Sequence, residues 1–115
     1  METLKQSAKE LLGLQLTREQ LLAFENYALE LTAWNEYSNL TAILDQRGIL
    51  IKHFLDSLSC LLAIRDLRNP TRALQLIDVG SGAGFPGLPL AIVHPEIHLT
   101  LVDATEKKCA FLRHM

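Results

Sequence analysis

The residues best suited to chemistry stand in a glycine-rich stretch that directly follows an apolar run. Glycine occupies every second position there, at Gly80, Gly82 and Gly84. Because glycine has no Cβ, the backbone at these positions can come close to a bound ligand. The helix expected next should offer unpaired N–H groups and a partial positive charge, which suit a carboxylate or a phosphate. The stretch therefore predicts a ligand site where a strand turns into a helix.

Two aspartates flank this turn and narrow the choice of ligand. Asp78 ends the first apolar run, and Asp103 ends a second one, where it can accept hydrogen bonds from ribose hydroxyl groups. Gly82, Gly84 and Gly87 also match the G-x-G-x-x-G fingerprint of NAD- and FAD-binding proteins. We favour S-adenosyl-L-methionine, because a carboxylate at position 78 would repel a pyrophosphate but attract the ammonium group of a methionine moiety. A tight turn that binds no ligand is the remaining alternative.

The first part of the chain, up to about residue 70, is expected to supply helices. Gly13 predicts the end of a first helix, and Thr17 with Gln20 forms a capping box that starts a second helix of about 17 residues. A third helix is expected from about 46 to 66, and Pro70 follows its end. The predicted buried faces of the second and third helices are Leu21, Phe24, Ala28, Leu31 and Trp34, and Ile51, Phe54, Leu55, Leu58, Leu61 and Leu62.

The second part, residues 71–115, alternates between β-rich and helical patterns. Strands are expected at 73–79 and 98–103, and helices at 88–93 and 106–115. This order is typical of the first βαβ unit of a parallel sheet, with a right-handed crossover. The predicted fold class is therefore α/β. A Rossmann-like domain at 71–115, comprising two strands, the helix between them and the start of a second helix, follows an N-terminal helical extension at 1–70.

A Rossmann-like sheet has more than two strands, so the domain is expected to be incomplete within these 115 residues. The strand at 74–79 should be central in the whole sheet, and here it should keep one free backbone edge. Both faces of the sheet should also lack part of their helical cover. We therefore expect the fragment alone to be inactive and to self-associate through the exposed sheet edge.

The composition is that of an ordinary globular chain, with 49% hydrophobic and 21% charged residues. A formal net charge of −2 gives no overall basic field for nucleic acid, so contact with RNA would need a local patch. Cys60 and Cys109 lack the spacing of a disulfide framework or a zinc site, so no metal is expected. No apolar run approaches the roughly 20 residues that span a bilayer, and the N-terminus lacks a signal-peptide pattern. A cytoplasmic protein without membrane contact is expected.

Longer motifs resemble one protein family. The run Leu-Ile-Asp-Val-Gly-Ser-Gly-Ala-Gly-Phe-Pro-Gly-Leu-Pro-Leu at 76–90 is similar to the first motif of the RsmG family, also called glucose-inhibited division protein B. The helical signatures of that family resemble Trp34-Asn35 with Asn39-Leu40-Thr41, and His53 with Asp56-Ser57-Leu58. Its second-strand motif resembles Leu-Val-Asp-Ala-Thr-Glu-Lys-Lys at 101–108. The likeness extends over nearly the whole chain.

This resemblance implies that the Rossmann-like domain at 71–115 is the methyltransferase domain of an S-adenosyl-L-methionine-dependent transferase that acts in rRNA processing. The implied reaction methylates N7 of a guanine in small-subunit (16S) rRNA, with the rRNA or the small ribosomal subunit as partner. Carried over by position, the implied cofactor-site residues are Asp78 at the methionine end, Gly80 and Phe85 along the site, and Asp103, Ala104 and Thr105 near the ribose and adenine. Guanine N7 has a lone pair and no proton, so no catalytic residue is expected beyond those that orient the reactants.

Contact with RNA is predicted for four residues. Arg65, Arg68 and Arg72 cluster before the first strand, and they form either a solvated surface or the best phosphate-binding patch in the chain. His53 could line a substrate cleft or serve only the packing of its helix, and both interpretations stay open. Two other functions also remain as alternatives: an NAD-binding oxidoreductase, and a non-catalytic module of helices that docks on the ribosome.

Four residues of the helical signatures are expected to have structural roles. Trp34 continues the apolar stripe of the second helix, so it should belong to the core rather than stack on a base. Asn35, Asn39 and Thr41 should cap and turn the chain between helices, because short polar side chains bond readily to nearby backbone groups. These expectations assign the helical part to support and the glycine-rich stretch to the ligand.

Overall fold

The computed structural model of the protein describes residues 1–43, 45–64 and 74–115. Its helices are α1 (Glu2–Leu12), α2 (Arg18–Asn35), α3 (Gln46–Gly48), α4 (Asp56–Ser59), α5 (Leu61–Ile64), α6 (Gly87–Val93) and α7 (Glu106–His114). A π-helical segment, Ile49–Leu55, joins α3 to α4. Within the described residues, the strands are β1 (Gln75–Val79) and β2 (His98–Val102). Helices therefore precede a strand–helix–strand–helix unit, as the sequence predicts.

The first two helices have the predicted ends. Gly13 adopts the left-handed conformation, with φ of +63°, and its N–H donates to the carbonyl group of Lys9. At the start of α2, the Gln20 N–H donates to Thr17 Oγ1 at 3.1 Å, and the Thr17 N–H donates to Gln20 Oε1 at 2.9 Å. This reciprocal pair satisfies two backbone donors that a helix start leaves free. The predicted capping box is therefore confirmed.

The predicted buried face of the third helix is partly wrong. Phe54, Leu58 and Leu61 are buried, but Ile51 is 40% exposed and Leu62 is 55% exposed. The prediction assumed a period of 3.6 residues throughout, whereas the π-helical segment has wider turns that rotate the faces of the helix. The helix is also interrupted at residue 60 before α5 begins. The expected break at Asn69 and Pro70 lies outside the described residues.

The two strands pair in parallel, from Gln75 opposite His98 to Val79 opposite Val102. Alternate side chains point to opposite faces, as in any strand. One face carries Leu76, Asp78, Leu99 and Leu101, which are half-buried beneath the start of α6 and the core. α6 packs back onto the strands that it connects, but these side chains stay only half-buried, which agrees with the expectation that this face lacks part of its helical cover.

The opposite face of the sheet is open. Ile77 is 65% exposed, Val79 is 78% exposed and Val102 is 45% exposed. These apolar side chains agree with the expected lack of cover on this one face. Self-association of the fragment through its sheet edge stays a prediction.

One core extends across the two predicted regions of the chain. Tyr27 of α2 lies with ring centroids 5.2 Å from Phe54 and 6.4 Å from Phe111 of α7. Trp34 packs edge-on against Phe111 at 5.6 Å and is half-buried at the edge of the core, which agrees with its predicted place. The boundary predicted near residue 70 lies outside the described residues. Among the described helices, none is both long and apolar enough to cross a membrane.

Candidate functional site

The glycine-rich loop lies at the carboxyl end of β1, beside the carboxyl end of β2. The N–H groups of Gly80 and Ser81 both donate to the carbonyl oxygen of Val102, at 2.7 and 3.0 Å. The N–H groups of Gly84 and Phe85 donate to the carbonyl oxygen of Ser81, at 2.8 and 3.1 Å. The loop is thus closed by its own backbone and by β2. Ligands of open α/β sheets bind at this end of the strands.

The glycines of the loop and of the start of α6 differ in what surrounds them. Gly80 and Gly82 have φ of +74° and +58°, and a Cβ built on either one would meet no atom within 4 Å. Gly84 has φ of +102°, and its Cβ would lie 2.5 Å from both the Tyr27 hydroxyl oxygen and a Leu88 methyl carbon. We call the surface at Gly80 and Gly82 the open side of the loop, and the surface at Gly84 the packed side.

Gly87, at the start of α6, also belongs to the packed side. Its Cβ would lie 2.8 Å from the Leu101 side chain, 2.9 Å from the Asp78 carboxylate and 3.0 Å from the Leu99 side chain. Glycine at this position lets α6 approach both strands. Gly84 and Gly87 are therefore required for packing whether or not a ligand binds.

Asp103 joins the loop after β1 to the loop after β2. Its Oδ2 accepts the Gly82 N–H and its Oδ1 accepts the Thr105 N–H, both at 2.9 Å. These two hydrogen bonds, from Thr105 first and Gly82 second, lower the pKa of the carboxyl group below its ordinary value. Asp103 is therefore ionised at neutral pH and lies beside the open side of the loop.

The side chain of Asp78, a residue of β1, caps the start of α6. Its Oδ2 accepts the Gly87 N–H at 3.0 Å, while the Leu88 N–H donates to the Gly84 carbonyl group at 2.8 Å and Pro89 has no N–H. The expectation of unpaired N–H groups at this helix start is therefore wrong. The sequence pattern could not show that the preceding strand supplies a carboxylate as the cap.

Ala104 and Thr105 are both exposed in the turn between β2 and α7. They follow Asp103 directly, so the structure brings the residues predicted for the ribose and adenine end to the same edge as Gly80 and Gly82. Among the described residues there is no group of three or more His, Cys, Asp or Glu side chains that could hold a metal ion.

Phe85 links the loop to the helical part of the chain. Its ring stacks on Tyr27 with centroids 5.3 Å apart and planes within 2°, and on His53 with centroids 4.2 Å apart and planes within 3°. The Tyr27 hydroxyl group donates to the Ala83 carbonyl group at 2.5 Å. Burial first, and the nearby Asp78 second, raise the pKa of Tyr27 well above its ordinary value, so it stays a donor.

Tyr27 was not among the residues predicted for the site. A signal was available, because a residue with a polar tip stands between Phe24 and Leu31 on the apolar stripe of α2. A buried tyrosine hydroxyl group needs a hydrogen-bond partner. The partner itself lies 56 residues away along the chain, which the pattern cannot reveal.

A polar network supports His53 from the other side. The buried Asn35 accepts the N–H groups of Leu40 and Thr41 with its Oδ1, at 2.7 and 2.9 Å. Thr41 Oγ1 pairs with His53 Nε2 at 2.9 Å. Burial lowers the pKa of His53, and the charge of Asp56 opposes this effect. The predicted structural roles of Asn35 and Thr41 are confirmed, whereas that of Asn39, which is exposed, stays a prediction.

The structure describes only one of the four residues that are predicted to contact RNA. Arg65, Arg68 and Arg72 lie outside the described residues. His53 is half-buried, and its contacts with Phe85 and Thr41 agree with a role in packing. A role of His53 in RNA binding stays a prediction.

Comparison with known proteins places these features in a family. A family model described as rRNA small subunit methyltransferase G matches residues 20–115. Proteins named Ribosomal RNA small subunit methyltransferase G are similar to the chain. That of Roseiflexus castenholzii is 55% identical over 103 residues, which are 90% of this chain and 42% of the relative. That of Desulforamulus reducens is 46% identical over 113 residues, which are 98% of this chain and 45% of the relative. The chain thus spans less than half the length of these relatives.

Proposed function

The chain belongs to the rRNA small subunit methyltransferase G family, and on that premise we propose that the protein methylates small-subunit (16S) rRNA. The methyl donor in this proposal is S-adenosyl-L-methionine, and the acceptor is N7 of a guanine. The relatives are named for methylation of small-subunit rRNA. The choice of guanine N7 rests on the resemblance of the sequence motifs, and the choice of cofactor rests on the loop after β1.

The open side of the loop is the observation that supports the cofactor most directly. Gly80 and Gly82 present backbone without side chains, and no atom lies within 4 Å of the point where a Cβ of either residue would stand. The ionised Asp103 lies at the same edge. A ligand with a ribose could place its hydroxyl groups on Asp103 while its flat parts lie along the glycines. The residues present therefore fit S-adenosyl-L-methionine.

A dinucleotide fits the same loop poorly. A pyrophosphate needs free N–H donors, but the Gly82 and Gly87 N–H groups already donate to the carboxylates of Asp103 and Asp78. Both carboxylates would also repel the phosphate charges. At two glycines of the apparent G-x-G-x-x-G match, Gly84 and Gly87, neighbouring side chains already occupy the space that a ligand would need. The oxidoreductase alternative loses its main support, since the matching glycines do not form an anion cradle.

We assign the remaining cofactor residues by their position around this edge. Asp103 is proposed to accept ribose hydroxyl groups, because each of its oxygens can accept a second hydrogen bond besides the backbone N–H that it holds. Ala104 and Thr105 are proposed to lie near the adenine, and Phe85 to line the site. Asp78 is proposed to face the ammonium group at the methionine end, where its negative charge is favourable.

The chemistry asks little of the protein beyond orientation. When bound, S-adenosyl-L-methionine supplies an electrophilic methyl group on a sulfonium. Guanine N7 offers a lone pair and carries no proton, so no side chain has to act as a base. The loop and Asp103 would fix the donor, and the RNA-binding surface would fix the acceptor. Such alignment can account for most of the acceleration.

Calorimetric titration and a methylation assay on the full-length protein test this function. We expect S-adenosylhomocysteine to bind and NADH not to bind. Radioactive methyl groups from S-adenosyl-L-methionine should enter 16S rRNA, and chain cleavage specific for N7-methylguanine should locate them at a single guanine. Binding of NADH in place of S-adenosylhomocysteine would overturn the proposal, and so would methylation at any atom other than N7.

The arginine cluster is proposed to hold the RNA backbone. Replacing Arg65, Arg68 and Arg72 together with Gln should weaken binding of 16S rRNA. It should also flatten the salt dependence by about 0.7–0.9 for each phosphate that the protein no longer neutralises. The matched control replaces the exposed Lys5, Lys9 and Arg18 with Gln, which removes the same charge elsewhere. Equal salt slopes for the two triple variants would show that the cluster is only a solvated surface.

A further inference from the structure

Tyr27 contacts three consecutive residues of the loop after β1. Its hydroxyl group donates to the Ala83 carbonyl group at 2.5 Å and lies 2.5 Å from where a Cβ of Gly84 would stand. Its ring stacks on Phe85 with centroids 5.3 Å apart. Tyr27 is fully buried and stands on α2, in the helical part of the chain. The packed side of the loop is thus shaped by a residue from outside the βαβ unit.

We propose that Tyr27 is a positioning residue of the cofactor site. It holds residues 83–85 so that the open side at Gly80 and Gly82 keeps the shape that the cofactor requires. This inference rests on the proposed function and deepens it. It makes α2 part of the cofactor site, rather than only a helix that could dock on the ribosome.

The loop is held from two directions, and Tyr27 provides one of them. Asp103 holds the Gly82 N–H on the open side, at 2.9 Å. Tyr27 holds the carbonyl group of the following residue, Ala83, on the packed side. Because Gly82 and Gly84 are glycines, the backbone between these two anchors has many conformations open to it. Without the Tyr27 hydroxyl group, the peptide between Ala83 and Gly84 would be held only through its N–H, which donates to the Ser81 carbonyl group at 2.8 Å. Its carbonyl group would lose its partner, and the peptide could then tilt and alter the surface at Gly82.

The stacked rings limit where Phe85 can go. Phe85 lies parallel to both Tyr27 and His53, and Thr41 in turn fixes the His53 ring through a hydrogen bond at 2.9 Å. The helical part therefore contacts the loop through a carbonyl group and through an aromatic side chain. The hydroxyl group can be removed while the ring contacts stay, which separates the two effects.

Tyr27→Phe in the full-length protein tests the proposal. It removes one oxygen atom and keeps the ring. We expect KM for S-adenosyl-L-methionine and Kd for S-adenosylhomocysteine to rise about tenfold, the size of one lost hydrogen bond. We expect kcat at saturating cofactor to stay within about twofold, because the reacting atoms do not touch Tyr27. Incorporation of p-aminophenylalanine at position 27 restores a donor on the same ring and should recover most of the loss.

Two controls separate positioning from a purely structural role. Tyr37→Phe removes a hydroxyl group from a tyrosine that is 86% exposed, and it should leave KM unchanged. Leu4→Ala weakens the core at a buried residue of α1, so it should lower the folded fraction, and with it kcat per total protein, but not KM. A Tyr27→Phe variant that behaves like Leu4→Ala, or like wild type, would overturn the proposal.

The outcomes also separate this inference from the proposed function. Wild-type protein that fails to bind S-adenosylhomocysteine would overturn both. Wild-type protein that binds it while Tyr27→Phe binds equally well would overturn only the role of Tyr27. If Tyr27→Phe does not fold, 4-fluorophenylalanine at position 27 carries the test, because its fluorine atom is close to the hydroxyl group in size but cannot donate a hydrogen bond. KM for S-adenosyl-L-methionine should rise about tenfold in that variant, and an unchanged KM would count against positioning.

Discussion

Gly80 and Gly82 lie on the open side of the loop after β1, whereas Gly84, in the same loop, and Gly87, at the start of α6, lie against side chains. All four glycines belong to one short stretch, and their spacing in the sequence does not show which of them face open space and which are packed. The difference lies in what the rest of the fold brings to each one. On the open side, the Gly80 N–H donates to the Val102 carbonyl group and the Gly82 N–H donates to the Asp103 carboxylate, while no atom lies within 4 Å of where either Cβ would stand. The packed side meets Tyr27, Leu88 and the side chains of both strands.

This comparison shows that a glycine motif can serve ligand and packing at once. The open glycines leave room for a ligand, and the packed ones let α2 and α6 come close to the loop. A pattern that counts all of them as ligand glycines, such as the dinucleotide fingerprint, joins positions with unlike roles. It follows that substitutions on the packed side should mainly lower the stability of the protein, whereas substitutions on the open side should mainly weaken ligand binding.

The largest effect is expected for Gly84→Ala. Its φ of +102° is unfavourable for alanine, and the new Cβ would lie 2.5 Å from the Tyr27 hydroxyl oxygen and from Leu88. Backbone strain and overpacking should together lower the free energy of unfolding by about 3 kcal/mol or more. Gly82→Ala is the matched control, because its φ of +58° meets no neighbour within 4 Å; it should cost only about 1–2 kcal/mol. Equal losses in urea unfolding would remove the distinction between the two sides.

The second-largest effect is expected for Gly80→Val, which should weaken ligand binding on the open side of the loop. The branched side chain would enter the space proposed for the cofactor, so affinity for S-adenosylhomocysteine should fall at least about tenfold, or about 1.4 kcal/mol. Gly13→Val is the matched control: Gly13 has φ of +63°, also meets no neighbour within 4 Å, and lies at the end of α1. Both variants should lose similar stability, while calorimetry finds weaker binding only for Gly80→Val. Unchanged affinity in Gly80→Val would contradict the assignment of the open side.

Most of the fold follows from local patterns in the sequence. The capping box at Thr17, the helix end at Gly13 and the βαβ order are local signals, and each is confirmed. The buried face of the third helix did not follow, because a period of 3.6 residues cannot anticipate a π-helical segment. The cover of one sheet face by α6 also depends on how elements pack after they form.

The site was predictable in its residue types but not in its partners. The sequence indicates that Gly80, Gly82 and Asp103 share one edge, since parallel strands end on the same side. It could not show that Asp103 holds the Gly82 N–H, or that Asp78 caps α6. Tyr27 was missed for the same reason, because its hydrogen bond to Ala83 joins distant parts of the chain. Long-range contacts decide which polar groups are free for a ligand, and local patterns do not contain them.

The smallest effect is expected at Asp103, and it is a dependence on pH. Thr105 and Gly82 donate to the carboxylate and hold its pKa below the ordinary value of 3.8. The unfolded chain has the ordinary pKa, so ionised Asp103 stabilises the folded state fully above pH 3.8, and this contribution is lost as the pH falls through the lowered pKa.

Asp103→Asn lacks the charge at every pH. The stability gap between wild type and variant should therefore be largest at neutral pH and narrow below pH 3.8. Because Asp103 is only half-buried, water screens its interactions and keeps the gap small. Urea unfolding at neutral pH and at successively lower pH measures the gap. If it stayed constant across that range, the N–H groups of the loop would not depend on the charge of Asp103. The open side would then owe its shape mainly to the anchor on the packed side, at Tyr27.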